Sequence, residues 1–285
     1  MKNFIIMIFV VTLSFAQDSF IGDTFERGSV NYEDRTIQAT GIGFIPTNVI
    51  NAGQARRSAM RIAKQDALRQ LIEIVNGVNV TSETTVSGAM FDDVIKTQVQ
   101  GAIRGARKIG DPKYLSDTSV EVVYEVNMRD ISRVLLPMAE KAPVLNYDSV
   151  TETGINSATT LSQDGAKAVP TSGGVTGIVI DGSGLGLRPA MSPQVLNQGG
   201  SIIYGPGQYN RDYAAANGVV GYAKTLEQAK KDSRVQGNPL ILRAASASGT
   251  AKTDVIISNA DSRKLVSADQ SASLLKNCRI MFVLN

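Results

Sequence analysis

From Ala52 the chain places a small residue at every fourth position, Ala55, Ala59, Ala63 and Ala67, and extends the same stripe with Leu71 and Val75. That period predicts a long helix over Ala52–Gly77, docked on a sheet by its small ridge and stopped at glycine. Ile62, Leu68 and Ile74 widen the apolar face, and Thr47 or Asn48 stands where a cap is needed. The preceding segment alternates. Ile37, Ala39, Gly41 and Gly43 share one face of a strand over Thr36–Ile45, ended by Pro46, and its glycines allow another backbone to come close.

After the long helix, Val78–Val86 is rich in β-branched residues and reads as a second strand. A second helix follows from Phe91 to Gly105, with Val94, Ile95, Val99, Ala102 and Ile103 at helical spacing. Arg107–Leu115 and Ser119–Met128 then form a hairpin around the polar Ser116, Asp117 and Thr118. In its second arm Val120, Val122, Tyr124 and Val126 face inward, while Glu121, Glu125 and Asn127 face out. A short helix over Arg129–Lys141 leads away. Strand, helix, strand, helix, strand, strand is the order of a two-layer α+β domain with its helices on one face.

Between residues 142 and 174 large apolar side chains give way to Ser, Thr, Gly, Asn and Asp. Such a stretch buries too little surface to offset its ordering entropy and reads as a flexible linker. Beyond it the pattern resumes: strands at Ile178–Ile180, Gly199–Tyr204, Pro239–Ala244, Thr253–Ser258 and Arg279–Leu284, and helices at Leu226–Lys231 and Asn259–Leu275. The last helix sets Leu265, Ala268, Ala272 and Leu275 on one side. The expected fold class is α+β, two small two-layer sandwich domains over 35–141 and 175–285 joined by the linker at 142–174. Residues 17–34, polar with isolated aromatics and no sustained period, read as an extended arm.

At the N-terminus Lys2 precedes an apolar run from Phe4 to Leu13 and the small residues Ser14 and Ala16. This is the pattern of a secretory signal over residues 1–16, cleaved after Ala16, and it predicts an exported protein. The run is shorter than the ~20 apolar residues needed to cross a bilayer. With 43% hydrophobic and 19% charged residues, the chain has globular composition and material for two cores. A net charge of +3, mixed along the chain, argues against a nucleic-acid partner. Histidine is absent and Cys278 is the only cysteine, which excludes imidazole acid–base chemistry and a zinc site built on nitrogen and sulfur ligands. Cys278 alternates with Ile280, Phe282 and Leu284 and reads as a small buried residue.

Two groups of residues stand out as candidate contacts. Arg56, Arg57, Arg61 and Lys64 line the outer face of the long helix, where they are placed to meet anionic lipid, cell-wall polymer or an acidic neighbouring subunit. In IVIDGSGLGLRP a strand runs into Gly182, Gly184 and Gly186, yet Leu187 stands where a dinucleotide fingerprint requires its third glycine, and Arg188–Pro189 where its helix opens. That loop is expected to present Arg188 to a neighbouring strand or subunit rather than to cradle phosphate. The carboxylate pairs Asp92–Asp93 and Glu121–Glu125 read as a helix-opening turn and an exposed strand face. No catalytic, metal or cofactor residues are expected, and the protein is expected not to be an enzyme.

The ordered run TIQATGIGFIP, the alanine-spaced helix, GAIRGARKIG and the alternating VEVVYEV, all between Thr36 and Met128, resembles the twenty-kilodalton outer-membrane lipoprotein family of FlgP-like proteins, and more distantly the N-terminal domain of FlgT. The segment from Val175 onward resembles a second domain attached to some members. The resemblance implies a self-associating structural protein of the periplasm or the periplasmic face of the outer membrane, a component of a flagellar basal-body disk or ring. Its implied partners are further copies of the chain, flagellar or other outer-membrane proteins, and the envelope itself by peripheral contact. A periplasmic binding module for cell wall or a small ligand, with no flagellar role, is the alternative. Where the family carries a lipidated cysteine after its signal, this chain has Gln17.

Overall fold

The computed structural model describes residues 20–45, 51–90, 92–116, 119–139 and 174–284. The fold is α+β, built on two sheets. In the first half come strands β1 (Gly22–Phe25), β2 (Gly28–Asn31) and β3 (Thr36–Phe44), helices α1 (Ala52–Gly77), α2 (Val86–Ala89) and α3 (Asp93–Arg104), strands β4 (Arg107–Tyr114) and β5 (Ser119–Asn127), and helix α4 (Met128–Ala139). Its sheet is antiparallel throughout, in the order β1-β2-β3-β5-β4.

α1 lies across β3 and β5 because both surfaces are small. A Cβ built on Gly41 would stand 2.0 Å from the Ala63 carbonyl oxygen, and one on Gly43 2.0 Å from that of Ala59. Helix and strand backbones therefore touch with nothing between them, and Ala59, Ala63 and Ala67 pack directly on Val120 and Val122. Asn51 caps the helix through hydrogen bonds from Gly53 and Gln54, in place of the expected Thr47 or Asn48, which lie outside the described residues. Ile62 does not widen the buried face. It is 43% exposed, on the flank of the stripe rather than at its centre.

The 17–34 segment departs from the extended arm expected of it: over its described part β1 and β2 form a hairpin that adds two strands to the sheet. Apolar residues at Ile21, Val30 and Tyr32 supply its buried side, too widely spaced to register as a period. Val78–Val86 is not a strand of the sheet either. Only an isolated bridge joins Asn79 to Thr85, and the Val80 N–H bonds back to Thr84 within the same loop. The reason is that the outward carbonyls of this loop are engaged by the second half of the chain.

That second half contains β6 (Ile178–Asp181), β7 (Val195–Asn197), β8 (Ile202–Tyr204), α5 (Arg211–Asn217), β9 (Gly221–Ala223), α6 (Leu226–Lys231), β10 (Leu240–Ser248), β11 (Asp254–Ile257), α7 (Asn259–Ala272) and β12 (Ile280–Val283). The strands form one mixed sheet in the order β8-β7-β11-β10-β6-β12-β9. Ile178, Val179 and Ile180 of β6 are apolar in a row because both faces of the strand are covered there, and Asp181 ends it. Ile178 and Ile180 enter the main core beside Ile280 and Phe282, while Val179, Met281 and Val283 pack under α6 with Ala229. α5, β7 and β9 were not foreseen from the pattern, and of the expected strand over Gly199–Tyr204 only Ile202–Tyr204 is extended, as β8, with the residues before it forming the turn from β7.

The two halves share one continuous core, in which Ile21, Tyr32, Met128 and Leu135 belong to the same cluster as Tyr204, Tyr222 and Leu242. Their seam carries backbone hydrogen bonds: Met191 to the Asn79 carbonyl at 2.9 Å, Ser192 to Val80 at 2.7 Å and Ala251 to Ser82 at 2.9 Å. The expected linker at 142–174 lies almost wholly outside the described residues.

Candidate functional site

Arg56, Arg57, Arg61 and Lys64 are all exposed on α1. At about 100° per residue, Arg61 points almost directly away from the alanine stripe, while Arg56 and Lys64 turn toward the β4 side. There the Arg56 guanidinium sits 5.6 Å from the ring centroid of Tyr114, and the Lys64 ammonium 5.8 Å from that of Tyr124, each over the negative face of its ring. Arg57 and Arg61 have no hydrogen bond or ion pair among the described residues.

The other flank of α1 holds a group that sequence reasoning missed. β2 ends before β3 does, leaving the Ile42 N–H without a strand partner, and the Asp66 carboxylate accepts it at 2.9 Å. Arg69 at 2.8 Å and Arg27 complete the cluster, and Arg27 also donates to the Thr40 carbonyl at 3.1 Å. Burial alone would raise the Asp66 carboxyl, but the hydrogen bonds from Ile42, Arg69 and Arg27 together hold it below the usual carboxylate range. An acidic residue beside an arginine three positions later looks like any helix surface pair, so no signal in the sequence marked it.

The glycine-rich loop is structural. Gly184 and Gly186 have φ of 79° and 64°, backbone that favours glycine, and the Leu187 side chain is buried. The Gly182 N–H continues the sheet by bonding to Val283 at 3.1 Å, and Arg188 bonds through its backbone to Lys252 at 2.9 Å. The Arg188 side chain reaches Asp23 of β1 at 3.7 Å, so the loop meets a neighbouring strand belonging to the other half of the same chain. The α1 cations and this loop form two separate places.

Charged groups gather at the seam instead. Arg35, with φ of 56°, donates to the carbonyls of Ala215, at 3.1 Å, and Ala216 in the last turn of α5. Arg234 donates to the next carbonyls, Asn217 and Gly218, and to Cys278. Two guanidiniums thus satisfy one helix C-terminus, where backbone acceptors are otherwise unpaired. Burial, then the like charges of Arg234 and Arg129, pulls Arg35 down to about 10. Nearby, Asp254 is buried and accepts the Ser82 hydroxyl at 2.6 Å and the Gln194 N–H at 2.8 Å, while Glu83 accepts the Thr250 hydroxyl at 2.7 Å.

Burial raises the Asp254 carboxyl despite those two hydrogen bonds. A carboxyl raised on folding contributes its full stability below the ordinary carboxylate range and loses it as pH climbs through the folded-state value. Asp254→Asn is therefore expected to gain thermal stability relative to the parent chain as pH is raised from about 4 to about 7. Melting curves across that range check it; a difference that does not vary with pH would refute it.

Glu125, expected on an exposed face, is 7% exposed. Arg107 at 2.6 Å and Gln38 at 2.8 Å cover it on the helix-free side of the sheet, turning a solvated charge into a cross-strand bond. Asp92 accepts the Val94 N–H at 2.7 Å and caps α3. Cys278 is buried with its thiol pushed up, chiefly by that burial, beside Tyr204, whose hydroxyl donates to Val219 at 2.7 Å. Among the described residues no group of three acidic, histidine or cysteine side chains is arranged to hold a metal, and no helix is long and apolar enough to cross a membrane.

Residues 177–285 match a family model described as Treponema pallidum Tp0624, second domain. The matched span begins one residue before β6 and takes in the whole second sheet with α5, α6 and α7, the glycine-rich loop included. No curated protein matches the chain.

Proposed function

We propose that this chain is an exported structural protein of the periplasm or the periplasmic face of the outer membrane that self-associates, with a flagellar basal-body disk or ring as the form suggested by the FlgP-like resemblance of residues 36–128. The observation that carries the reading is a pair of unlike sheet edges, β4 and β8, that carry no further strand among the described residues. The first sheet ends at β4 and the second at β8, while at the seam Tyr32, just after β2, meets Tyr222 of β9 with ring centroids 5.9 Å apart. Two different edges on one body permit head-to-tail contacts, which close into rings when the rotation allows. β4 is guarded against indiscriminate pairing by Pro112, the left-handed Gly110 and a register shift between Ile109 and Lys113. The buried carboxylates Glu125 and Asp254 each join one structural element to another, consistent with a scaffold role.

Light scattering of the chain from Gln17 onward, over a concentration series, should show species larger than one copy that grow with concentration. A mass of one copy throughout would sink self-association. The second reading, a binding module, is favoured by one feature: a groove of about 560 Å³ between the β7–β8 hairpin and α7, lined by Asn197, Asn259, Ser262, Arg263 and Gln270. Ile203 and Val266 add apolar walls, so the amides, hydroxyls and single guanidinium suit a small ligand with both apolar and polar parts.

A further inference from the structure

One end of the first sheet carries a rim that its own core does not use. Phe44 ends β3 opposite Ser119, Tyr114 ends β4 opposite Val120, and the Leu115 N–H bonds to the Ser119 carbonyl at 2.9 Å, so the three side chains share one end of the sheet. They are 61%, 57% and 39% exposed. Isolated exposed apolar residues need no explanation, but two aromatics and a leucine at one end of a sheet, Tyr114 on its α1 side and Phe44 on the other, make a two-sided apolar tip that does. α1 begins beside the same end, since Gly43 of β3 touches Ala59. Arg56 is stacked over Tyr114 at 5.6 Å, Arg57 follows it, and Lys113 stands next to Tyr114, its ion pair with Glu121 at 3.1 Å leaving it 71% exposed.

We propose that this rim docks on a lipid surface with anionic headgroups, a reading that deepens the proposed envelope location and rests on it for its biological setting. The chemistry is complementary in two parts. Phe44, Tyr114 and Leu115 match the interfacial zone of a bilayer, where aromatic rings with one polar end are favoured. Arg56, Arg57 and Lys113 meet the headgroup charge, each basic residue near an anionic surface adding to the attraction and each weakened by salt. The device is peripheral. It supplies modest, reversible adhesion without an acyl chain, and several copies in one assembly would multiply it.

The test uses the chain from Gln17 onward in co-sedimentation with vesicles of phosphatidylcholine alone or mixed in equal parts with phosphatidylglycerol. Binding to the mixed vesicles, little to the neutral ones, and release at about 0.5 M salt are expected. Arg56→Glu with Arg57→Glu should weaken the partition at least about tenfold. Phe44→Ser with Leu115→Ser should weaken it too, and because both residues are exposed the melting temperature should hardly move. Equal binding to both vesicle types, no binding, or unchanged partition in both double variants overturns the proposal. So does loss of self-association in lipid-free solution by the rim variants when the parent ignores vesicles, which would make the rim a contact between copies. Light scattering reads self-association separately: vesicle binding by a strictly single-copy chain sinks the proposed assembly and keeps the lipid contact, and a large assembly indifferent to vesicles does the reverse.

Discussion

Replacing Gly41 with valine is expected to destabilise the protein by about 3 kcal/mol or more, at the upper end of what overpacking costs. A Cβ there meets the Ala63 carbonyl oxygen at 2.0 Å and the Ala67 nitrogen at 2.3 Å, and both belong to the α1 backbone rather than to a side chain that could rotate away. The helix as a whole would have to lift from β3 and β5, opening the layer of Ala59, Ala63, Ala67, Val120 and Val122. Gly101, whose Cβ would meet nothing within 4 Å, is the control. Gly101→Ala, inside α3, should hold or raise stability by up to about 1 kcal/mol. Thermal melts of the two variants check both, at about 2–4 °C per kcal/mol for chains of 150–250 residues. A Gly41→Val protein that melts with the parent would mean that α1 does not lie on the strand as described.

The second large effect is expected at Arg35. If a specific protease site is inserted among residues 142–173 and cut, the halves should travel together on gel filtration, because the seam holds a shared core and backbone hydrogen bonds. Arg35→Ala removes charged hydrogen bonds to the carbonyls of Ala215 and Ala216 and leaves those acceptors at the end of α5 without a partner side chain. Hydrogen bonds to a charged group are worth about 1.5–3 kcal/mol each, so a loss of about 2–4 kcal/mol in docking is expected. That corresponds to a roughly 30- to 1,000-fold rise in the dissociation constant of the cut halves. Titration calorimetry or dilution on gel filtration reads it. Halves that separate before any substitution, or an Arg35→Ala seam as tight as the parent's, would refute the docking role.

Much of the first sheet was legible because its signals are local. The alanine stripe gave α1 its limits at Ala52 and Gly77, and Gly41 with Gly43 announced a close backbone approach that the structure shows. What escaped depends on partners far away in sequence. Val78–Val86 has strand composition, but its carbonyls serve residues 191, 192 and 251. The hairpin β1–β2 is short and its apolar positions are few, so it acquires its pairing from β3 rather than from its own period. α5 is a seven-residue helix whose end is completed by Arg35 and Arg234, neither of which is close in the chain. Among the contact candidates, the exposure of the α1 cations followed from helical spacing, whereas the rim of Phe44, Tyr114 and Leu115 needed the strand register to bring its members together. The Asp66 plug needed to know where β2 stops.

The loop after α1 also has a meaning in time. A chain delivered from its N-terminus presents Asn79, Val80 and Ser82 long before Met191, Ser192 and Ala251 exist to bond with them. Until then three seam carbonyls and the part of α4 that packs on α5 stay open to water. The loops that carry Met191, Ser192 and Ala251 are therefore the closing piece of that flank, and they arrive only after the first sheet has been synthesised in full.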